Sequence, residues 1–451
     1  LVGGINLFQA DYDRDGFLDI FVCRGAWLRE NGRHPNSLLR NNGDGTFSDV
    51  TREAGLFALH PTHSASWGDF NLDGWIDLFV ANESSTGSRN PCQLYRNNMD
   101  GTFTDIAANA GVNLLAFSKA AVWGDVNNDG LLDLYVSNLM QPNVLFLNKG
   151  KQADWTFEEV SNRAGVASHN PSFPTWFWDY NNDGHLDIFV APFPGFLSDS
   201  LSQIAGGYLG ARPTGLSPAL FKNNGKGQFS NVAEDIGLSD MMLAMGANFG
   251  DLDNDGFPDF YIGTGEPSLN TLVPNRMYRN DQGRSFQNVT FSGGFGHLQK
   301  GHGIAFGDID QDGDQDVYAV MGGAYAGDIA YNALYINPGN DNAWITLKLE
   351  GTTSNRDAIG ARIAIFTRNP DGKAQRFHAH VSSGGSFGAS SLQQELGIGN
   401  AATIERVEIR WPGQKNPQTL TTLQCNTAYH IVQGDDKPKT LFTAAGNRNQ
   451  N

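Results

Sequence analysis

The chain has 451 residues, with 31 basic and 48 acidic side chains and a formal charge of −17. That balance excludes a nucleic-acid backbone as partner, because phosphates need a basic surface. Hydrophobic residues make up 40% and aromatics 11%, enough for a packed core and against disorder, and no run reaches the ~18 apolar residues that span a membrane. The length allows two or more domains. Leu1 opens inside a repeat and not on a signal peptide, which reads as a processed or truncated N-terminus. The three cysteines, Cys23, Cys92 and Cys425, contain no CxxC and make no disulfide framework. Cys23 and Cys92 fall at matching ends of neighbouring repeats, which leaves one disulfide between them open.

Taken in chain order, one unit recurs six times. The segments DYDRDGFLD from Asp11, DFNLDGWID from Asp69, DVNNDGLLD from Asp125, DYNNDGHLD from Asp179, DLDNDGFPD from Asp251 and DIDQDGDQD from Asp308 start 58, 56, 54, 72 and 57 residues apart. The long fourth interval carries an insertion, about residues 192–215, rich in Gly, Pro and Ser. Before each loop stands a short apolar strand such as SASWG or KAAVWG, and after it an alternating strand such as IDLFVAN or LDLYVSN. A third strand and a Gly-rich turn follow, LLRNNGDGTF at Leu38, then a fourth strand such as FSDVT at Phe47. Four short strands per unit, repeated, predict the blades of an all-β propeller over 1–341. No 3.6-residue periodicity supports a helical solenoid. Six blades are countable, and six or seven is left open, since sequence ahead of Leu1 or the strand at Trp344 would complete a seventh.

The loops carry oxygen ligands at fixed spacing. Position 1 is Asp11, Asp69, Asp125, Asp179, Asp251 and Asp308. Position 3 is Asp13, Asn71, Asn127, Asn181, Asp253 and Asp310, and position 5 is Asp15, Asp73, Asp129, Asp183, Asp255 and Asp312. A backbone carbonyl is expected from position 7, which is Phe17, Trp75, Leu131, His185, Phe257 and Asp314. Position 9 is Asp19, Asp77, Asp133, Asp187, Asp259 and Asp316. Calcium takes six to eight oxygens at about 2.3–2.6 Å, alternate positions turn three side chains to one point, and Gly at position 6 permits the bend. One such loop is weak, since Asx-turns favour the same residues. Six in one frame predict about six Ca2+ ions, held more tightly at Asp11, Asp251 and Asp308, where all four side chains are carboxylates. Six divalent ions would bring the charge of −17 to about −5. Sites of this strength stay filled where calcium is millimolar, outside the cytoplasm.

The opposite mouth of the channel is the expected place for a second function. The residues six before each loop Asp are Ile5, His63, Lys119, Phe173, Met245 and His302, with His60, His169, His297 and Lys300 nearby in the inter-blade loops. His63 and His302 with Met245 form a candidate transition-metal set, and Lys119 with the histidines a candidate anion site; ordinary polar residues around a wet channel explain them as well. In the insertion, Phe193, Phe196, Tyr208 and Arg212 are candidate partner contacts, aromatics with Arg being typical interface anchors, or a lid packed on the propeller. No nucleophile elbow, phosphate loop or zincin helix is present.

From Trp344 the pattern changes. WITLKLEG, ARIAIFTR, RFHAHVS, VEIRWPG and AYHIVQG predict antiparallel strands of a small sandwich or barrel over 342–434, and 435–451 reads as a loose tail. His378 and His380 share one strand face, a candidate metal pair or a solvated face. The repeats resemble FG-GAP/VCBS calcium-propeller repeats, and IGARIAIFT at Ile359, SSGGSFGASSLQQELGIG at Ser382 and VEIRWPG at Val407 resemble the ASPIC/UnbV domain. Together they are similar to the cartilage acidic protein 1-like family of secreted proteins. The resemblance implies a propeller, bound calcium and an extracytoplasmic location. It implies little about activity, and the EGF-like cysteine module of animal members has no counterpart in these residues. The expected function is a calcium-stabilised binding or scaffolding module for a protein or glycan. The alternatives are an enzyme at the channel mouth around His63, Lys119 and His302, and a structural subunit of a surface assembly.

Overall fold

The computed structural model describes residues 4–167, 171–193, 200–211, 215–266, 272–323, 327–384 and 390–443. Six antiparallel sheets follow one another along the chain, over 4–49, 62–105, 118–159, 172–231, 244–288 and 301–335, and are numbered here as blades 1 to 6. Blade 2 serves as the pattern: Thr62–Gly68 lies innermost, then Asp77–Asn82, Gln93–Asn97 and Phe103–Asp105 outermost. Alternation puts apolar residues on both faces of the second strand because each blade is sandwiched between two others. The calcium-type loop joins the first two strands, whose register begins at Gly68 opposite Asp77.

Neighbouring blades pack face to face through five apolar clusters. Trp67 and Leu78 join blades 1 and 2, Trp123 and Val136 blades 2 and 3, Phe177 and Ile188 blades 3 and 4, Trp178 and Phe260 blades 4 and 5, and Tyr261 and Phe306 blades 5 and 6. Glycine ends the inner strand where the next blade's aromatic presses on it. A Cβ at Gly68 would sit 2.8 Å from Trp123, at Gly124 2.7 Å from Phe177, and at Gly250 2.4 Å from Phe306.

Every blade has a register shift near the far end of its inner pair, at Gly4/Asn6, Thr62/Ser64, Ser137/Asn138, Ser172/Thr175, Ala244/Gly246 and Gly301/Ile304. A bulge re-aims the extra side chain. Here the bulged positions fall on the channel-mouth residues singled out by spacing.

The strand at Trp344 does not complete a blade. Trp344–Glu350 pairs with Gln394–Gly397 and Thr427–Val432, and Lys439–Thr443 adds an edge strand. A second sheet, Ala374–His380, Arg362–Arg368, Thr403–Arg410 and Gln418–Leu420 in that order, packs on the first through Ile345, Leu347, Ile363, Ile365, Val407 and Ile409. This sandwich is not wholly antiparallel. Trp344–Glu350 and Thr427–Val432 run parallel, which their long intervening connection permits and a hairpin would forbid. Residues 439–443, expected in a loose tail, are held by pairing along Thr427–Val432. In the insertion, Ser200–Tyr208 forms a helix that buries Ile204 against Met241, Leu243 and Val273.

All three cysteines are free. Cys23 lies within the second strand of blade 1, whereas Cys92 precedes the third strand of blade 2 and sits beside Ser118. They occupy different inter-blade cores and not matching ends.

Candidate metal centres and the channel mouth

The six loops close alike. The position-1 carboxylate accepts the N–H of the position-6 glycine at 2.7–3.0 Å, and the position-5 carboxylate accepts the N–H of position 7 at 2.8–3.0 Å. The glycines sit at φ between +85° and +97°, a region that side chains avoid. The position-9 carboxylate accepts the main-chain N–H of a third-strand Asn at 2.7–2.9 Å in all six blades. In blades 2 to 6 that Asn in turn donates its amide across the blade boundary. Asn97 reaches Tyr12 O, Asn148 Phe70 O, Asn223 Val126 O, Asn280 Tyr180 O and Asn337 Leu252 O, each at 2.8–3.0 Å. Loops 1 to 5 are thereby each tied to the turn of the following blade.

In loops 1, 5 and 6, ligand atoms of Asp11, Asp13 and Asp15, of Asp251, Asp253 and Asp255, and of Asp308, Asp310 and Asp312 lie within 4.8 Å of one another. In loops 2 to 4 the position-3 Asn donates its amide to the position-5 carboxylate at 2.8–3.0 Å. Burial lifts the position-1 carboxyls above the usual range: Asp11 and Asp308 to about 6, Asp69 and Asp179 to about 7, with Asp125 raised and Asp251 raised strongly. Burial likewise pushes Asp19 and Asp187 at position 9 to about 8, and raises Asp77, Asp133 and Asp259 well above their ordinary value. Like-charged neighbours in the same loop add to it in each of these loops. Among the described residues, buried oxygens of Asp11 (Oδ1), Asp187 (Oδ2) and Asp253 (Oδ1) have no hydrogen-bond partner. Crowded, desolvated carboxylates with unspent acceptors fit a hard, oxygen-seeking divalent cation.

The sandwich sits on these loops. Asp357 accepts the N–H of Asp11 at 2.7 Å, Arg356 pairs with Asp11 at 3.2 Å, and Arg14 donates to Thr352 O at 2.9 Å. Arg362 reaches Asp125 O, His378 N–H donates to Asn182, Asn342 donates to Asp253 O, and Glu395 accepts the N–H of Asp308. Burial, with the Asp11 charge adding, raises Asp357 to about 7. Sequence spacing gave no pointer to Asp357 or Glu395, because neither belongs to a repeat. His378 and His380 share one face, as expected, and burial lowers them to about 4 and about 3. Among the described residues, no third His, Cys, Asp or Glu joins them in a ligand cluster.

At the other mouth the bulged residues converge on Trp27, which reaches in from the loop after the second strand of blade 1. Lys119 lies 3.1 Å above the Trp27 ring and 4.5 Å from that of Phe117, and pairs with Glu83. Glu83 also accepts the Trp27 N–H at 2.7 Å. His63 packs 4.8 Å from Phe173 and donates Nδ1–H to Lys119 O at 2.7 Å. Phe173, Phe193 and Met245 complete an apolar plug. Lys119, Glu83 and His63 are fully buried; burial lowers Lys119 to about 8 and His63 well below its ordinary value. His302 lines an open cleft between blades 6 and 1, and Lys300 pairs with Asp328 at 2.6 Å. Phe193 is buried beside Trp27. Phe196, Arg212 and His169 lie outside the described residues. Trp27 and Glu83 are the residues that spacing missed: each occurs in one blade only, so no repeat marks them.

A succession of antiparallel blades, four-stranded in blades 1 to 5 and three-stranded in blade 6 among the described residues, with a carboxylate loop in every blade and a β-sandwich packed on the loops, defines the class as a repeat propeller with candidate metal loops. The FG-GAP-like repeat model matches residues 11–80, 69–136, 125–190 and 207–262, and the ASPIC and UnbV model matches 351–438. The chain belongs to the FG-GAP-like repeat family and carries an ASPIC and UnbV domain. It is similar to cartilage acidic protein 1 of Homo sapiens, 25% identical over 240 residues, which cover 52% of this chain and 32% of that protein. The Mus musculus protein of that name is 25% identical over 242 residues, 52% of this chain and 33% of that one. The match thus spans about a third of these relatives' length. A solved V. cholerae biofilm matrix protein, Bap1, aligns at 10% identity over 97% of this chain and 76% of its own, with a TM-score of 0.34. The repeat propeller and the cartilage acidic protein relatives support a binding or scaffolding module. Among the described residues no helix is long and apolar enough to cross a membrane.

Proposed function

We propose that this chain is an extracytoplasmic module, stabilised by one calcium ion in each of its six loops, that binds a protein or glycan partner. The observation that carries this reading is the identical closure of six loops around desolvated carboxylates, three of which bring three carboxylates within 4.8 Å. Calcium supplies the missing positive charge; the side chains at positions 1, 3, 5 and 9 and the carbonyl at position 7 would hold it. Sites of this kind fill at millimolar calcium, which fits a location outside the cytoplasm, as does the name of the relatives. The surface favoured for the partner is the insertion of blade 4, where Tyr208 and Leu209 stand exposed, Leu209 by 88%. Tyr208 is also steadied by the Arg276 guanidinium 5.0 Å from its ring.

Elemental analysis and thermal melting test the calcium reading together. An ion that binds only the folded state at a hundred times its dissociation constant adds about 2.7 kcal/mol. EDTA should therefore lower Tm by about 10 °C or more, and several calcium ions per chain should be found beforehand. A metal-free chain whose melt EDTA leaves unchanged would sink the proposal.

A further inference from the structure

The hydrogen bonds of the six loops do not end within each loop. The position-9 carboxylate uses both of its oxygens. One accepts the main-chain N–H of the third-strand Asn, and the other accepts the N–H of position 2 in its own loop, at 3.0–3.3 Å in loops 1, 2, 3, 5 and 6. The carbonyl of that same position-2 residue is the one that the next blade's Asn amide reaches. An unbroken run therefore leads from loop to loop. From Asp133 it passes to the Val126 N–H at 3.0 Å, from the Val126 carbonyl to the Asn223 amide at 2.8 Å, and from the Asn223 N–H to Asp187 at 2.7 Å. Its members are buried: Asp77, Asp133 and Asp187 are 0% and Asn97, Asn148 and Asn223 2–3% exposed. Away from water each bond polarises the next.

The run is broken once. Among the described residues, Asp187 Oδ2 in loop 4 is buried and has no partner, so the bond from position 2 that the other five loops make is missing there. Asn280 of blade 5 still donates to Tyr180 O at 2.8 Å, but nothing carries on from Tyr180 to Asp187. The position-9 carboxylates of loops 1 to 4 are thus joined in one run, and those of loops 5 and 6 in another.

We propose that calcium fills the loops cooperatively in two groups, loops 1 to 4 and loops 5 and 6, and that the position-9 carboxylates and the staple Asn residues carry the coupling. This rests on the calcium reading above. An ion on a position-9 carboxylate fixes both of its oxygens. The Asn amide is then held against the preceding loop at position 2, which stands between the ligands at positions 1 and 3 and itself bonds that loop's position-9 carboxylate. Part of the ordering that the neighbouring site needs is done before its own ion arrives, and the effect is reciprocal. Two filled loops repel each other, but charges farther apart than about 8 Å are screened at physiological salt, and buried hydrogen bonds are not.

Hydrogen exchange of the loop amides at graded free calcium reads each loop of the 451-residue chain separately. Loops 1 to 4 should gain protection together, and loops 5 and 6 together, with one filled loop raising its neighbour's affinity about five-fold or more. Asn148→Ala removes the amide that joins loops 2 and 3, and should part loops 1 and 2 from loops 3 and 4. Asn280→Ala removes a buried amide that is likewise 2.8 Å from its carbonyl but joins no two carboxylates, and should leave the grouping as it was. Circular dichroism in calcium checks that both variants fold. Independent filling overturns the proposal, as does an equal change in both variants, since the coupling would then reflect the stability of the whole fold. Where chelation unfolds the stripped chain, calcium release from the loaded chain into excess chelator reads the same grouping: two phases, with a third in Asn148→Ala alone. A chain that takes up no calcium refutes the calcium reading itself, whereas one that fills six loops singly refutes only the coupling.

Discussion

The two ends of the channel are built on opposite plans. At the loop end, six nine-residue segments repeat the same hydrogen bonds with a spread of 0.2–0.3 Å, and each blade contributes the same chemistry. At the bulge end, six structurally equivalent positions hold Ile5, His63, Lys119, Phe173, Met245 and His302, and a single tryptophan from outside the repeat gathers most of them around one buried ion pair. The first end is a periodic device, with the same hydrogen bonds in every blade. The second is a one-copy device built on a single buried ion pair. A repeat thus carries ion binding on its shared positions and leaves the bulged position free to differ from blade to blade.

The largest effect should come from breaking the one-copy device. Glu83→Ala leaves the Lys119 ammonium fully buried against Trp27 with no counter-charge, a change that typically costs about 3–5 kcal/mol. The apolar pair Glu83→Leu with Lys119→Met should recover most of that loss, because a buried ion pair is often replaceable by packed hydrophobes. Urea unfolding in saturating calcium reads both. A loss under about 1 kcal/mol for Glu83→Ala would mean that water reaches the pair and that the plug is not sealed.

Next comes the pH response of the periodic end. Carboxyls raised by burial to about 6 at Asp11, about 7 at Asp69 and about 8 at Asp187 bind more protons folded than unfolded between their ordinary value near 4 and those limits. Their ionisation therefore disfavours the fold increasingly as pH rises through that window. In EDTA, Tm should be higher at pH 5.5 than at pH 8. With millimolar calcium the order should reverse, since ligands must shed protons to bind the ion. An EDTA melt that is flat across this range would show that the loop carboxylates are not desolvated as packed here.

What could be read from the sequence divides along the same line. The period, the loop ligands, the order of strands and the bulged ring all recur, so self-similarity exposes them without any knowledge of packing. Trp27, Glu83, Asp357 and Glu395 occur once, and their partners lie 36 to 346 residues away in the chain, so no local pattern marks them. The parallel pairing of Trp344–Glu350 with Thr427–Val432 is hidden for a related reason. Alternation identifies a strand and its faces but says nothing about which distant strand lies beside it. The helix in the insertion escaped because nine residues with two glycines and two serines carry little helical pattern.

The smallest predicted effect separates local closure from cohesion between blades. Asn148 and Asn41 occupy the same position and close the same turn, each through its main-chain N–H to the loop carboxylate, at 2.9 and 2.8 Å. Asn148 also donates to Phe70 O in the preceding blade at 2.8 Å, whereas Asn41 reaches only Leu18 O at 3.1 Å, and that bond is solvent-exposed. Substitution by Ala keeps the main-chain bond in both, so the difference reports the side-chain amide. Asn148→Ala should cost about 2 kcal/mol, because it strands buried carbonyls, and Asn41→Ala under about 1 kcal/mol. Equal costs in the 451-residue chain would show that the amide serves its own turn alone, and blade cohesion would then rest on the apolar clusters.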